Sequence, residues 1–306
     1  MFNNIYSGKK VLITGHTGFK GSWLSIWLKH LGAEVAGVSL DPPSDPSNFK
    51  VCFVDSFVKH HRVDIRNAEA LAKVVHQIQP DFIFHLAAQA LVRPSYEFPI
   101  ETLTTNALGT ASVLEALRLL TKPVTAIMIT SDKAYDNVEW KWGYREIDRL
   151  GGKDPYSASK GMAELVIRTY VESFFNKNDS NIRIGIVRAG NVIGGGDWAK
   201  DRLVPDCIAS WAEGETVDVR SPEATRPWQH VLEPLSGYLT LASFLHSDKT
   251  FHGEAFNFGP PASQNNSVRE LISEMSKHWG QIRWNDVSEE GEHVHEAGLL
   301  KLNCDK

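Results

Sequence analysis

Two residues at helical spacing, Tyr156 and Lys160, could perform chemistry on an alcohol. Residues four apart on an α-helix share a face, so a helix here would place the phenol beside the ammonium. A free tyrosine loses its proton near pH ~10, and a neighbouring positive charge favours the phenolate and lowers that pKa. Such a pair can remove a hydroxyl proton while a hydride leaves the same carbon. This chemistry requires a hydride acceptor, so a nicotinamide site is expected elsewhere in the chain.

A glycine-rich turn near the amino terminus fits that cofactor. Residues 10–14 read as a short apolar strand, and Gly15, Gly18 and Gly21 follow before a helical pattern of apolar residues. Gly15 permits a tight turn, Gly18 lets the backbone approach the pyrophosphate, and Gly21 allows close helix packing. The phosphates would lie on the helix N-terminus. The order of strand, glycine turn and helix predicts a dinucleotide site.

Asp41 indicates which dinucleotide binds. It ends a second predicted strand, residues 34–40, where its carboxylate can accept hydrogen bonds from an adenosine ribose and would repel a 2′-phosphate. The sequence therefore predicts NAD rather than NADP.

Strands and helices continue to alternate through residue 188. Further strands are expected at 56–61, 81–86, 124–130 and 182–188, and helices at 67–79, 100–120 and 156–176. This alternation predicts an α/β fold with a doubly wound parallel sheet. Ligands of such sheets bind at the carboxyl ends of the strands, where the chain has Asp64, the small pair Ala87-Ala88 and the run Ser131-Asp132-Lys133.

Beyond residue 188 the alternation becomes irregular. A glycine-rich stretch, 189–198, precedes Arg202 and a helix that starts near residue 204, and Arg220 and Arg226 follow. Three arginines around a helix N-terminus offer the charge and the bidentate donors that a diphosphate requires. Trp228 could cover a sugar or a base. For each arginine taken alone, a surface salt bridge is the alternative role.

Composition is typical of a metabolic enzyme. The 306 residues carry a formal net charge of -5, which gives no basic field for nucleic acid or a membrane, and no apolar stretch is long enough to span a bilayer. The chain starts without signal-peptide features, and Cys52, Cys207 and Cys304 are few and widely spaced, so a cytoplasmic protein with reduced thiols is predicted. No metal site is expected, because His60-His61 and Glu292-His293-Val-His295-Glu296 have no convincing further ligands.

Together these features resemble the extended short-chain dehydrogenase/reductase family that acts on nucleotide sugars. The motifs that match are Gly15-x-x-Gly18-x-x-Gly21, Asp64, Leu86-Ala87-Ala88, Tyr156-x-x-x-Lys160, Arg188-x-x-Asn191 and Arg226-x-x-x-His230-Val231. Within the family, Ser131-Asp132-Lys133, Tyr135-Asp136-Asn137 and the stretches 194–198 and 201–206 are similar to the branch that dehydrates CDP-glucose. Relatives acting on dTDP-glucose carry Asp-Glu where this chain has Asp132-Lys133.

The resemblance implies a modified Rossmann domain with a smaller α/β substrate domain, NAD as cofactor and the nucleotide sugar CDP-glucose as substrate. The NAD domain is expected at residues 1–188, rejoined by about 229–255, and the substrate domain at 189–228 and 256–306, incomplete at its carboxyl end. Cofactor contacts are implied for Gly15, Thr17, Gly18, Phe19, Lys20, Gly21, Asp41, Asp64, Ile65, Leu86, Ala87, Ala88, Asn106, Tyr156 and Lys160. Substrate contacts are implied for Gln89, Arg93, Asn191, Arg202, Arg220, Arg226 and His230.

The predicted reaction is a dehydration. Tyr156 takes the C4 hydroxyl proton as hydride moves from C4 to NAD, with Lys160 lowering the pKa of the phenol and Ser131 hydrogen-bonding the reacting oxygen. A base then removes the C5 proton while Asp132, kept protonated by burial, donates to the departing C6 hydroxyl, and hydride returns to C6. The product would be CDP-4-dehydro-6-deoxy-D-glucose, and the family's products usually enter bacterial surface polysaccharides such as O-antigen.

Two roles are open for Lys133. As the base at C5 it must be neutral, which requires desolvation or nearby positive charge to lower its pKa from ~10.4; alternatively it stabilises an enolate. Other functions also stay open: a nucleotide-sugar 4-epimerase or reductase, a dehydratase of another nucleotide hexose, or a non-catalytic NAD-binding sensor. An epimerase has no use for an acid and a base beside Ser131, and the intact Tyr156 and Lys160 argue against a sensor.

A homodimer is also expected. In relatives, the helices that correspond to 100–120 and 156–176 pair with their copies across a two-fold axis, and here both carry apolar residues at suitable spacing. These residues are Leu108, Ala111, Leu114, Leu117, Leu165, Ile167 and Val171.

Overall fold

A parallel sheet of seven strands forms the centre of the structure, a computed structural model that describes residues 2–176, 180–261, 263–264, 266–280, 282–289 and 298–306. The strands are β1 Lys10–Thr14, β2 Glu34–Ser39, β3 Lys59–Arg62, β4 Phe82–His85, β5 Val124–Ile129, β6 Ile182–Ala189, β7 Val192–Ile193, β8 Val217–Val219, β9 Thr225–Arg226, β10 Gln229–His230, β11 Ala255–Phe258, β12 Asn266–Ser267 and β13 Trp284–Asp286. The helices are α1 Phe19–His30, α2 Asn48–Val51, α3 Ala68–Ile78, α4 Val92–Glu97, α5 Pro99–Leu103, α6 Gly109–Arg118, α7 Pro155–Tyr170, α8 Leu203–Ala212, α9 Leu232–Ser247 and α10 Val268–Ser276.

The order of the strands creates a crevice above β1. The sheet runs β11-β6-β5-β4-β1-β2-β3 with every pair parallel. The order reverses at β1, which lies between β4 and β2, and ligands of open α/β sheets bind at the strand ends beside such a reversal. The predicted α/β fold with a doubly wound parallel sheet is confirmed.

Helices cover both faces of the sheet, which explains why its central strands are almost purely apolar. All six residues of β5 are buried, whereas three of the four residues of β3 at the edge are exposed. One face packs against α3, α6 and α7, and the other packs against α1 and α9. Because both faces are covered, β5 shows a continuous apolar run rather than an alternating pattern. This core holds the carboxyl end of β5, and therefore Ser131, in a fixed place.

Several predicted elements differ in detail from the observed ones. The helix predicted at 100–120 is divided into α5, a π-helical turn at Thr104–Leu108 and α6, and the helix predicted at 156–176 ends in a second π turn at Val171–Phe175. Apolar spacing did not reveal these insertions, because one extra residue per turn hardly changes the pattern. The strand predicted at 56–61 begins later, because Phe53 has a left-handed φ of 51 and Val54–Ser56 form a 3₁₀ turn.

Smaller elements follow β6. Three two-stranded sheets pair β7 with β10, β9 with β12 and β8 with β13, and a separate apolar cluster forms around Trp211 and Ile272. The chain returns to the main sheet through α9 and β11, and β11 pairs with β6. The exact division into two domains stays a prediction.

Residues 298–303 lie against the segment that connects β5 to α7. Tyr144 and Leu302 form an isolated bridge, and the amide of Asn303 donates to the carbonyl oxygen of Tyr144 at 3.0 Å. Tyr135, Tyr144, Leu300 and Leu302 form a small buried cluster there. The segment is thus packed directly beyond Ser131–Lys133.

Candidate active site

The turn between β1 and α1 accepts only glycine at two positions. Gly15 has φ +78, and a Cβ there would lie 2.7 Å from the backbone nitrogen of Ala87. A Cβ at Gly21 would lie 2.1 Å from the carbonyl oxygen of Gly15. Gly18 is the N-cap of α1 and provides no side-chain hydrogen bond, so no capping side chain occupies the first amides of the helix. Open helix amides beside a tight glycine turn are suited to a pyrophosphate.

The other residues of the turn tie it to its surroundings. Thr17 Oγ1 lies 2.6 Å from Ser39 Oγ and donates to the carbonyl oxygen of Leu40 at 3.1 Å, which connects the turn to the end of β2. Phe19 lies against Gly194 of the glycine-rich stretch after β7. Lys20, the second residue of α1, has its charge close enough to Lys160 to lower the pKa of that lysine.

The two acidic candidates for the cofactor site follow β2 and β3 and are ion-paired. Asp41 pairs with Arg62 at the surface. Asp64 lies 2.6 Å from Arg66 Nη2, and the hydrogen bonds from Arg66 lower the pKa of the Asp64 carboxyl. Ile65 is buried beside Gly109, where a Cβ would lie 2.5 Å from its side chain.

Asn106 connects the end of β4 to the helix that carries Tyr156. Its side chain accepts from the Gln89 amide at 2.8 Å and donates to the Gln89 carbonyl at 2.9 Å and to Ser159 Oγ at 2.7 Å. The Gln89 side chain donates to Thr102 Oγ1 at 3.0 Å. Leu86, Ala87 and Ala88 follow β4 directly, and Ala87 lies against Gly15. The strand end, the turn and α7 therefore meet at one place.

Tyr156 and Lys160 lie on one buried face of α7. Asp154 is the N-cap and accepts from the Ser157 amide at 2.9 Å, with Pro155 in the first turn. The ammonium of Lys160 lies 5.9 Å from the centre of the Tyr156 ring. Both side chains are buried. The predicted helical spacing thus does bring the two groups together.

Ser131, Asp132 and Lys133 follow β5 in a 3₁₀ turn. Ser131 Oγ donates to Asp132 Oδ1 at 2.9 Å and also accepts from the Lys133 amide at 3.3 Å. The other carboxylate oxygen of Asp132 is buried and has no hydrogen-bond partner among the described residues. A hydrogen bond with Ser131 lowers the pKa of Tyr156, and the charge of Asp132 raises it, so these three side chains face one another.

Burial dominates the protonation of the site. It raises the pKa of the Tyr156 phenol to about 12, with the hydrogen bond to Ser131 opposing it. This is opposite to the expected lowering by Lys160, because the loss of hydration on burial disfavours the charged phenolate. Burial also lowers the pKa of Lys160 to about 7, with Lys20 adding to the shift and Glu164 opposing it. The pKa of Asp132 is raised by burial, the direction expected of a proton donor.

Two of the arginines assigned to the substrate are paired with aspartates. Arg93 Nη1 donates to Asp201 Oδ1 at 3.0 Å, and Arg202 Nη1 donates to Asp197 Oδ2 at 2.8 Å. Asp201 has φ +63, a left-handed conformation that is uncommon outside glycine. A diphosphate that binds through these Nη1 groups would compete with the two carboxylates.

The remaining substrate candidates are distributed around the second half of the chain. Arg226 is buried, and its charge lowers the pKa of Asp132. Arg220 lines a cavity of about 440 Å³ together with 221–224, Asp286, Ser288 and Gly298. Neither Arg226 nor any of the five catalytic candidates lines this cavity. Asn191 immediately precedes β7, and His230 belongs to β10 and pairs with Ile193.

The family model of GDP-mannose 4,6 dehydratase matches residues 12–301. The chain belongs to this family. It is 48% identical to the CDP-glucose 4,6-dehydratase of Salmonella typhimurium over 99% of this chain and 85% of that protein. It is 24% identical to the UDP-glucose 4-epimerase of Mycoplasma pneumoniae over 82% of this chain and 76% of that protein.

Solved structures show the same fold. The dTDP-glucose 4,6-dehydratase of Streptomyces venezuelae, solved with NAD bound, superposes with a TM-score of 0.78 at 22% identity, covering 96% of this chain and 88% of that one. The UDP-glucuronic acid 4-epimerase of Bacillus cereus, in complex with UDP-glucuronic acid and NAD, gives 0.75 at 26% identity, covering 90% of this chain and 85% of that one. The resemblance to the extended short-chain dehydrogenase/reductase family is confirmed.

Sequence reasoning missed two buried polar groups of this family member. His85, the last residue of β4, lies 2.7 Å from Thr14 Oγ1 and 3.0 Å from Thr110 Oγ1, and burial lowers its pKa to about 3. Glu164 pairs with Arg188 beneath the catalytic face of α7. Glu164 follows Lys160 at the same spacing that joins Lys160 to Tyr156, and that repetition was the available signal.

The described residues hold no group of three or more potential metal ligands, and His60 instead lies 2.8 Å from His16. Glu292-His293-Val-His295-Glu296 lies outside the described residues. In the part of the chain that the structure describes, no helix combines the length and the apolar character needed to cross a membrane.

Proposed function

We propose that the protein is an NAD-dependent hydro-lyase that converts CDP-D-glucose to CDP-4-dehydro-6-deoxy-D-glucose. One observation carries this proposal: a buried carboxyl with a raised pKa, Asp132, faces the Ser131–Tyr156 pair. An alcohol oxidation needs the pair alone, whereas an elimination also needs a proton donor. The 48% identity to a CDP-glucose 4,6-dehydratase supports both the reaction and the substrate.

NAD fits the crevice above β1. The turn at Gly15 and Gly21 leaves no room for side chains, and the first amides of α1 lack a capping side chain. We assign further cofactor contacts to the remaining predicted residues: Thr17, Gly18, Phe19, Lys20, Asp41, Asp64, Ile65, Leu86, Ala87, Ala88, Asn106, Tyr156 and Lys160. Bound NAD supplies a reversible hydride acceptor.

The first step oxidises C4 of the hexose. Tyr156 accepts the C4 hydroxyl proton, and Ser131 holds the reacting oxygen by a hydrogen bond. With a pKa of about 12, the phenol needs added positive charge to act as a base near neutral pH. Lys160 provides that charge when it is protonated, and its own pKa of about 7 makes this contribution depend on pH.

The second step removes water across C5 and C6. The new ketone at C4 acidifies the C5 proton, and Lys133 either accepts that proton or stabilises the enolate that forms. Asp132 donates its proton to the departing C6 hydroxyl, a role that requires the neutral carboxyl favoured by its burial. Hydride then returns to C6 and a proton adds to C5, so the net reaction is a dehydration.

Arginines hold the substrate. Arg93 and Arg202 exchange their aspartate partners for phosphate oxygens, and Arg226 places a further cation near Asp132. Gln89, Asn191 and His230 complete the predicted set of hexose and phosphate contacts. Arg220, in the cavity of about 440 Å³, is assigned to the nucleotide end of the substrate.

A homodimer and a cytoplasmic location belong to the same proposal, with the sugar product used for surface polysaccharide such as O-antigen. Leu108 and Leu165 are 58% and 55% exposed and lie on the two helices expected at the interface. Leu114, Leu117, Ile167 and Val171 are buried in the chain's own core and are not available to a partner. Light scattering should therefore give the mass of a dimer, and Leu108→Glu with Leu165→Glu should give a monomer.

A panel of substrates tests the reaction. The protein is incubated with NAD and, in turn, with CDP-, dTDP-, UDP- and GDP-linked hexoses, and the absorbance of the keto sugar in alkali is followed. The proposal predicts keto sugar from CDP-glucose at the highest kcat/KM. A 4-epimer without any 6-deoxy product would establish an epimerase instead, and bound NAD without turnover of any hexose would establish a sensor.

A further inference from the structure

A fully buried ion pair fastens the helix of Tyr156 and Lys160 to the sheet. Arg188 of β6 donates through Nε to Glu164 Oε1 at 2.8 Å and through Nη2 to Oε2 at 2.9 Å, and both side chains are 0% exposed. Two parallel bonds between a planar guanidinium and a carboxylate fix orientation as well as distance. The pair therefore sets how α7 lies on β6.

The carboxylate of Glu164 also contacts the residue that follows β5. Thr130 Oγ1 donates to Glu164 Oε1 at 2.5 Å and approaches the Val187 carbonyl at 3.2 Å. Thr130 immediately precedes Ser131, and Glu164 lies one turn beyond Lys160 on α7. A single carboxylate thus contacts the residue before the Ser131–Lys133 turn and belongs to the helix that carries the phenol.

Arg188 extends this network toward the carboxyl-terminal residues. Its Nη1 donates to Tyr135 Oη at 2.7 Å and to the Glu146 carbonyl at 3.1 Å. Tyr135 in turn donates to Asn257 Oδ1 at 2.8 Å, and Asn257 Nδ2 donates to the Asn303 carbonyl at 2.9 Å. One guanidinium therefore joins α7, β5, the segment after β5 and, through Asn257, the segment 298–303.

Stability alone does not account for such a pair. Removing two charges from water costs about as much as their attraction returns, and well-packed apolar residues in the same place are often equally stable. What apolar residues lack is a directional preference. The two parallel hydrogen bonds between Glu164 and Arg188, here called the fork, fix the position of α7 relative to β6. These two elements must be held together for the reaction.

The charges around Lys160 give the pair a second consequence. Glu164 raises the pKa of Lys160 and Lys20 lowers it, while Lys160 itself lowers the pKa of the buried His85. The ring centre of Tyr156 lies 5.9 Å from the ammonium of Lys160. Glu164 is thus the carboxylate that favours the ammonium form.

We propose that Glu164 and Arg188 are positioning residues for this reaction: their buried fork holds Tyr156 and Lys160 in register with Ser131, Asp132 and Lys133. The inference rests on the proposed function, since it concerns the residues assigned to catalysis there. A displacement of about 1 Å between reacting groups lowers rates on the order of 100-fold, which sets the expected size of the effect.

The decisive variant replaces both charges at once, Glu164→Leu with Arg188→Met. It should fold, because Thr130 can still donate to Val187 and Tyr135 can still donate to Asn257. We expect a melting temperature close to that of the wild type, a kcat lower on the order of 100-fold and a much smaller change in KM. Wild-type kcat in this folded variant would overturn the proposal.

Glu164→Gln supplies a test that does not depend on the double variant folding. Glutamine can still accept a hydrogen bond from Thr130 but carries no charge, so the pKa of Lys160 should fall. The alkaline limb of the pH profile of kcat should therefore move to lower pH. Glu172→Gln is the matched control, because it removes an exposed carboxylate shortly beyond the end of the same helix. Coincident alkaline limbs for Glu164→Gln and the wild type would contradict the proposal.

Failure of the proposed function is distinguishable from failure of this inference. If the wild type produces no keto sugar from any hexose, the proposed function is wrong. The positions of the catalytic side chains are then compared in crystal structures of the wild type and the variant. The separation of Ser131 Oγ and Tyr156 Oη should change by about 1 Å in a variant without the fork, the displacement that matters for catalysis. An unchanged separation would overturn the inference without reference to activity.

Discussion

The two halves of the site are held in different ways. At the glycine turn on the cofactor side, Gly15 and Gly21 lie where backbone approaches backbone, and no charged pair has to separate before a pyrophosphate binds at that turn. On the substrate side, Arg93 and Arg202 are engaged by Asp201 and Asp197. The glycine turn is therefore preformed, whereas the two arginines proposed to bind substrate already have carboxylate partners. Steric changes should therefore affect the cofactor half most, and changes of charge should affect the substrate half most.

Gly15→Ala should produce the largest effect. An alanine at φ +78 pays about 1–2 kcal/mol for its conformation, and its Cβ would press on the Ala87 backbone at 2.7 Å. We expect NAD binding to be lost while the fold persists, as measured by calorimetric titration and thermal melting. Gly195→Ala is the control, because nothing lies within 4 Å of its added Cβ. Equal NAD affinity in both variants would show that the turn is not the cofactor site.

Lys133→Met should stop the elimination and spare the oxidation. Loss of the amine removes the C5 base or the stabiliser of the enolate, while Tyr156 and Ser131 remain. Reduction of NAD by CDP-glucose should stay measurable, and exchange of the C5 proton with deuterated water should cease. Persistent exchange at the wild-type rate would exclude Lys133 from the step.

Acid should destabilise the protein through the neutral histidines around β1. Burial lowers the pKa of His85 to about 3 and that of His16 to about 4, below the unfolded value of about 6.5. The unfolded state therefore binds more protons between these values, and stability falls as pH decreases from 6.5 toward 4. Each histidine contributes a slope of up to about 1.4 kcal/mol per pH unit. Urea unfolding at several pH values measures the free energy of unfolding. A free energy that stays constant between pH 6.5 and pH 4 would contradict the lowered pKa values of the two histidines.

Asp201→Asn should have the smallest effect. It removes the carboxylate that pairs with Arg93 at the partly exposed rim of the site, and exposed pairs contribute only about 0.2–1 kcal/mol. We expect KM for CDP-glucose to fall by at most a few-fold with kcat and NAD affinity unchanged. A raised KM would indicate that Asp201 binds substrate rather than competing with it.

The sequence was sufficient for the regular parts of this molecule. The apolar run of β5 and the spacing of Gly15, Gly18 and Gly21 depend on short-range rules, and the structure has the strand and the turn where they were expected. The Tyr156–Lys160 pair depends only on helical periodicity. Fold and cofactor turn were therefore predictable.

Long-range pairing was not predictable from one sequence. Nothing near Glu164 indicates that Arg188, on a different element, will meet it in the core. The pKa of Tyr156 was expected to fall and is raised instead, because the depth of burial is a property of the whole fold. The two π turns likewise leave no clear mark in the apolar spacing of the sequence.

Transfer of a labelled hydrogen tests the central claim most directly. CDP-glucose carrying deuterium at C4 is incubated with the protein and NAD in ordinary water, and the product is examined by NMR. If Tyr156, Asp132 and Lys133 act on one hexose, deuterium should move from C4 to the C6 methyl group, and C5 should carry hydrogen from solvent. Deuterium that stays on C4, or returns to it with inverted configuration, would contradict the dehydratase mechanism.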